Sequence, residues 1–182
     1  NNNWFLTTDG AAGGIKISSD NVTVNFNKVH DNYNRGIWVD VGATTITIAG
    51  NLVQNNYSNG IMYEISSAAS IHHNTVIGNA LKNPDGRQNP GCTSVACGAG
   101  IVLNNVNGAC VYANTVQGNL NGVSVIEKYR TASTPVNRTR NVTVYDNQIA
   151  LDSPKNLAGV GLSFNPSAAD PTSDPYAAAS LN

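Results

Sequence analysis

Apolar and polar residues alternate along this chain in short bursts, and the bursts recur. After Gly14, Gly36, Gly60, Gly100 and Gly122 the first and third residues are apolar: Ile15/Ile17, Ile37/Val39, Ile61/Tyr63, Ile101/Leu103 and Val123/Val125. A second burst leads into an asparagine, with Val22/Val24, Ile46/Ile48, Ala69/Ile71, Ala109/Val111 and Val142/Val144 ahead of Asn27, Asn51, Asn74, Asn114 and Asn147. A third follows each asparagine, at Val29, Val53, Val76, Val116 and Ile149. A period of two predicts strands, and the spacings of three and four that a helix needs are absent.

Five residues after each of these asparagines stands a second polar column: Asn32, Asn56, Asn79, Asn119 and Asp152. The intervals between the first-column asparagines are 24, 23, 40 and 33 residues. Two insertions account for the long ones, residues 81–99 and 128–140, both rich in loop-forming residues. Three short strands per repeat, with no two-residue turn to pair them as hairpins, bury their apolar sides only by stacking repeat on repeat. Ile then lies over Ile, Val over Val, and each Asn amide donates to and accepts from its neighbours in the stack. Asn also tolerates the left-handed backbone of tight corners. The predicted fold is all-β: a right-handed, single-stranded parallel β-helix of five to six coils with two loop insertions. The coils start near Gly14, Gly36, Gly60, Gly100, Gly122 and a degenerate Gly159, and one domain spans 1–182.

Composition adds exclusions. Asp, Glu, Lys and Arg make up 12% of the chain and the net charge is −1, which disfavours a nucleic-acid or anionic-membrane partner. No apolar run is long enough for a transmembrane helix. The start at Asn1, without Met or signal peptide, reads as a mature or excised piece of a longer chain. Cys92 and Cys97 share a Gly-rich loop and are a candidate disulfide, which leaves Cys110 over. The four glycosylation sequons, at Asn21, Asn56, Asn137 and Asn141, mark exposure at most.

The segments "GGIKI", "NKVHDN", "GIWVDV", "GIMYEIS", "SIHHNTVIGN", "GAGIVL" and "CVYANTVQGN", with "NVTVYDNQI", resemble the secreted right-handed parallel β-helix repeat proteins. Their wider superfamily includes pectate lyases, polygalacturonases and alginate epimerases. The resemblance implies a secreted bacterial protein that engages an extracellular polysaccharide, as a lyase or a glycoside hydrolase if it is an enzyme.

If positions +1 and +3 after each glycine face inward, +2 and +4 face out. The +2 column is Lys16, Trp38, Met62, Val102 and Ser124, and the +4 column is Ser18, Asp40, Glu64, Asn104 and Ile126. Asp40 and Glu64 therefore adjoin on one face. Like charges that close drive one pKa up, the division of labour that an acid and a carboxylate need in glycoside hydrolysis. They are the candidate catalytic pair, and the candidate metal ligands should Ca²⁺ bind. Trp38, Lys16 and Asn104 are the candidate substrate-binding residues, Trp38 as a sugar-stacking platform. Arg35 and the basic residues of the second insertion are further candidates to neutralise a uronate.

His72 and His73 lie near a corner, with His72 facing outward, and His30 is on another side; their spacing does not support zinc. Tyr33 and Tyr57 share a slot in successive coils and read as a stacked structural pair. The competing functional reading is a non-enzymatic structural, adhesive or filament-forming solenoid that self-associates end to end.

Overall fold

The computed structural model describes residues 12–81, 98–128, 138–151 and 158–165. Most of both insertions, Cys92, Cys97 and Asp152 lie outside the described residues. In chain order the strands are β1 (Gly13–Ile17), β2 (Thr23–Asn25), β3 (Lys28–His30), β4 (Arg35–Val39), β5 (Thr44–Ala49), β6 (Leu52–Gln54) and β7 (Ile61–His72). They continue as β8 (Thr75–Ile77), β9 (Ala99–Tyr112), β10 (Thr115–Gln117), β11 (Asn121–Lys128), β12 (Arg140–Tyr145), β13 (Gln148–Ala150) and β14 (Val160–Asn165). The regular scaffold thus reaches into the ends of both insertions, through Ala99 on one side and Lys128 and Arg140 on the other.

Every ladder is parallel. The order β1-β4-β7-β9-β11-β14 forms the post-glycine face, and β13-β10-β8-β6-β3 forms a separate sheet. Between them β2 pairs β5, β5 the far half of β7, and β12 the far half of β9. The long strands β7 and β9 therefore serve two faces each. They bend where Ile65, Ala68, Asn105 and Gly108 take positive φ. The register is the one the sequence predicts: Ile15 lies on Ile37, Ile37 on Ile61, Ile61 on Ile101, Ile101 on Val123 and Val123 on Val160. Ile37, Ile61, Ile71, Ile101, Val53, Val76 and Val116 are fully buried in one cluster along the axis. Full burial of each such side chain stabilises the fold by about 1.5–3 kcal/mol.

Both asparagine columns form continuous amide chains. Nδ2 of Asn27, Asn51, Asn74 and Asn114 donates to Oδ1 one coil on, ending at Asn147, over 2.9–3.0 Å. Asn32, Asn56 and Asn79 do the same, ending at Asn119, each at 2.8 Å. The left-handed residue is not the ladder asparagine but the one before it. Phe26, His73, Ala113 and Asp146 have φ of 57°, 53°, 51° and 51°, and Gly50 has 64°. The asparagine bridges that corner by donating to the carbonyl two residues back, Asn25, Ala49, Tyr112 or Tyr145. Left-handed backbone costs a non-glycine residue about 1–2 kcal/mol, which these bonds offset. One sequon is closed by this architecture: Asn56 is a fully buried ladder member, whereas Asn21 and Asn141 are exposed.

The glycines heading the repeats are set by close approach rather than by dihedral. A Cβ on Gly60 would stand 2.6 Å from Val76 Cγ1, 2.7 Å from the Gly100 carbonyl oxygen and 2.9 Å from Asn79 Nδ2. The glycine makes room for the valine column and the second amide ladder together.

Two substitutions test this account. Asn79→Ala breaks the ladder in a buried setting and is expected to lower the unfolding free energy by about 3 kcal/mol. Exposed Asn25→Ala, on the same corner as the first ladder, should change it by under ~0.5 kcal/mol in the same urea titration. Gly60→Ala is expected to cost about 3 kcal/mol through overpacking, read from the midpoint of the same transition.

Candidate functional site

The +2 and +4 side chains do point away from the axial core, but beyond the exposed Lys16 and Ser18 of the first coil they are largely covered. Trp38, Met62, Ala99, Val102 and Ile126 form a second apolar cluster, on the outside of the post-glycine face. Glu64 is 6% exposed and Asn104 fully buried among them. Period-two alternation gives a side chain's direction but not what covers it, so the sequence pattern misjudges the exposure of this face.

Within the cluster, Glu64 is held from both neighbouring coils. Trp38 Nε1–H donates to Glu64 Oε1 at 2.9 Å, and Asn104 Nδ2–H donates to Oε2 at 3.1 Å. Asn104 is the register partner of Glu64, so the second bond is a direct rung of the ladder. Asn104 Oδ1 is buried without a hydrogen-bond partner.

Asp40 and Glu64 follow Val39 and Tyr63, which are register partners, so the two acids do lie on adjacent coils. Their environments differ. The Asp40 side chain is 16% exposed and pairs with Lys16 Nζ at 3.1 Å, with Lys16 itself 35% exposed. Asp40 is the carboxylate at the edge, and Glu64 the one inside. Each Glu64 oxygen already accepts one N–H, from Trp38 and from Asn104, and Asp40 is paired with Lys16. Among the described residues, no group of three His, Cys, Asp or Glu gathers as a metal centre.

Trp38 is 5% exposed, and two cations occupy its faces' surroundings. Lys16 Nζ lies 3.9 Å and Arg35 Cζ 4.3 Å from the ring centroid. Its ring is engaged by these cations, and its indole N–H by Glu64. Arg35 also donates from Nε to Met62 Sδ at 2.8 Å. Burial pushes the Arg35 guanidinium below its ordinary pKa, against the opposing pull of Glu64 and Asp40. Arg35 is the central cation of the cluster. Its signal in the sequence is that the residues preceding the repeat glycines run Gly13, Arg35, Asn59, Ala99 and Asn121, with one charge among them.

A further buried acid, Glu127, accepts from Arg138 Nη1 at 2.9 Å and from the Thr139 backbone N–H at 2.8 Å. Arg138 thus ties the end of the second insertion to β11. On the opposite side of the molecule His30 Nδ1 meets Asp31 Oδ2 at 2.6 Å. Tyr33 and Tyr57 lie one coil apart, where the Tyr57 N–H donates to the Asn32 carbonyl. Ring stacking runs instead along the first corner: His72 on Tyr112 at 4.9 Å, and Tyr112 on Tyr145 at 5.1 Å. His72 Nδ1 is 2.9 Å from His73 Nδ1. Burial, then the neighbouring His73, lowers the His72 pKa. Cys110 is a free, exposed thiol two residues before Tyr112.

Fold and ladders together define a right-handed parallel β-helix with a buried polar cluster on its post-glycine face. The chain belongs to the NosD family, described as periplasmic copper-binding protein (NosD), which matches residues 1–163. Among solved structures it is similar to the crystal structure of the periplasmic alginate epimerase AlgG, with 23% identity and a TM-score of 0.59. That similarity covers 85% of this chain but 36% of the other, so this chain spans about a third of that structure's length. A search of the curated proteins finds no match. As for copper, the imidazoles of His72 and His73 are hydrogen-bonded to each other through their Nδ1 atoms, with no third His, Cys, Asp or Glu gathered beside them among the described residues. The one methionine of the chain, Met62, is buried and engaged by Arg35.

The clamp on Glu64 can be tested by stability. Glu64→Ala leaves the Trp38 N–H and the Asn104 amide unpaired in buried surroundings and should cost about 3 kcal/mol. Glu64→Gln keeps an acceptor and should cost less, so thermal melts should rank wild type above Glu64→Gln above Glu64→Ala.

Proposed function

We propose that this chain works outside the bacterial cytoplasm and binds a polysaccharide along its post-glycine face. One observation carries the reading. Charge is scarce in this sequence, at 12% of residues, yet Lys16, Arg35, Asp40 and Glu64 converge on three successive coils around one tryptophan. Solvation alone gives no reason to gather them there. The two positive and two negative charges cancel, so the site offers directional donors and acceptors rather than a net field. Hydroxyl-rich polymers are bound by such groups, and a face running along the solenoid axis suits an extended chain. Asp40 and Lys16, at the edge, are the groups that meet the sugar. Trp38 and Asn104 fix Glu64 behind them. Any cleavage runs through Asp40, with Glu64 as the second carboxylate of the pair.

The test is retention of pectin, alginate and xylan by the purified chain, with unsaturated products and reducing ends followed in the same tubes. Asp40→Asn is expected to weaken polymer binding at least tenfold, about 1.4 kcal/mol, and to abolish any product release. Because the charges cancel, wild-type binding should change little between low and physiological salt. Binding or turnover that survives both Asp40→Asn and Glu64→Gln overturns the assignment. Fibres forming with rising protein concentration, and no sugar retained, would support a structural solenoid instead.

A further inference from the structure

Phe, Trp and Tyr make up 7% of this chain, yet five rings, two of them imidazoles, gather along one corner of the solenoid. The last outward column of the β2-β5-β7-β9-β12 face runs Asn25, Ala49, His72, Tyr112 and Tyr145 in register. His72 stacks on Tyr112 and Tyr112 on Tyr145, with interplanar angles of 16° and 8°. His73, the corner residue beside His72, meets the same stack edge to face. Where the column holds only Ala49, a ring arrives from the coil before. Phe26 bends along the axis onto Gly50, where a Cβ would stand 2.7 Å from its Cε1 and 2.8 Å from its Cδ1. The result is a ridge of rings along the axis, on a different side from Trp38 and Glu64.

Burial does not account for the ridge. Phe26 is 85% exposed and Tyr145 44%. The corner itself accepts a glycine or an alanine, as Gly50 and Ala113 show, so the backbone does not call for phenylalanine there. Contiguous exposed rings mark a contact surface.

The chemistry of the ridge selects its partner. Stacking covers the faces of the inner rings, which leaves Phe26 and Tyr145 as apolar platforms at the two ends. Polar edges stand between them. His72 and His73 share one hydrogen between Nδ1 atoms 2.9 Å apart, so one Nε2 is left as an acceptor and the other carries a hydrogen to donate. A sugar hydroxyl both donates and accepts, which matches that pair. Thr47, Ser70 and Thr143 add a hydroxyl column two residues back on the same strands, about 6.6 Å away. Asp146 is the one formal charge at the corner, so no cation is at hand there for a uronate or a phosphate. Width decides against a protein, since a stable interface covers about 800 Å² on each side and the ridge is one side chain wide. Its direction, with a step of about 4.8 Å per coil, suits an extended chain.

We propose that this corner is a second carbohydrate contact, for an extended, uncharged glycan. Apolar sugar faces lie on Phe26 and Tyr145, and hydroxyls bond to the His72–His73 pair and to Tyr112. The site goes beyond the post-glycine reading and does not depend on it. A ridge without walls holds a short glycan with a dissociation constant on the order of millimolar, too weakly to retain a polymer by itself.

The experiment adds xylohexaose, cellohexaose or hexagalacturonate to the full chain and follows the imidazole C–H resonances by NMR. His30, on the opposite side, is the internal control. The two uncharged sugars are expected to shift His72 and His73 and leave His30 still, in the wild type and equally in Asp40→Asn, with hexagalacturonate weaker. Phe26→Asn removes one platform and suits the left-handed corner. Tyr145→Thr removes the other and suits a strand. Each should raise the half-saturating concentration about fivefold with an unchanged melting curve; should one variant melt early, the other still decides. If no sugar moves His72 or His73 while polymer retention is lost in Asp40→Asn, the ridge fails and the post-glycine reading stands. If no sugar moves them and no polymer is retained, both fail. Shifts that persist unaltered in both ridge variants, or that vanish in Asp40→Asn, place the sugar elsewhere and overturn the proposal. Self-association that Phe26→Asn abolishes, with no sugar shift, makes the ridge a protein contact and overturns it as well.

Discussion

A primary amide that donates upward and accepts from below is the interaction on which this molecule depends. Along Asn32, Asn56, Asn79 and Asn119 it repeats at the coil spacing, inside the protein and out of water's reach. Three of these amides also reach a carbonyl of the preceding coil: Asn56 to Val29, Asn79 to Val53 and Asn119 to Val76. A buried amide with partners on both sides stabilises, while one missing rung strands two groups at once. That asymmetry fixes the register of coil on coil more sharply than the interchangeable Ile and Val of the core can. Gly14, Gly36, Gly60 and Gly100 follow from it, since a side chain at any of them would strike the amide and the valine beside it.

The outer face obeys a different constraint. There a carboxyl group has been taken out of water, and its oxygens are met by N–H donors rather than by solvent. Taking a carboxyl group out of solvent is expensive unless its oxygens are hydrogen-bonded. Glu64 meets that condition through Trp38 and Asn104, residues that come from different coils and can converge only if the stacking is in register. The polar cluster is therefore a dependent of the solenoid, and the ion pair of Asp40 with Lys16 is the part of it that faces outward.

The architecture was legible because stacking imposes like residues at like positions. Ile37, Ile61 and Ile101 had to coincide, and the asparagine spacing announced where each coil turns. The placement of Asp40 beside Glu64 followed from the same register. Other features lay beyond a one-dimensional pattern. Alternation says that Trp38, Met62 and Asn104 leave the core, but their burial depends on what crosses over them. The corner conformation falls on Phe26 and His73 rather than on the asparagines, because the asparagine side chain closes the turn from the following position. The approach of His72 to His73 depends on that corner, so sequence adjacency alone did not reveal it. Arg35 was visible as an odd charge in its column, though its central place required coordinates.

The left-handed corners carry one more implication. Elsewhere in proteins such a turn largely dictates its occupant, and glycine fills most of them. Here the clamp beside the corner relieves that demand, and Phe26, Gly50, His73, Ala113 and Asp146 take the same backbone shape in turn. An aromatic, an imidazole, a methyl and an acid can be exchanged at a single station without disturbing the coil beneath. The edge of the solenoid thus behaves as a row of interchangeable sockets, on which a lineage can try new surface chemistry while its interior stays unchanged.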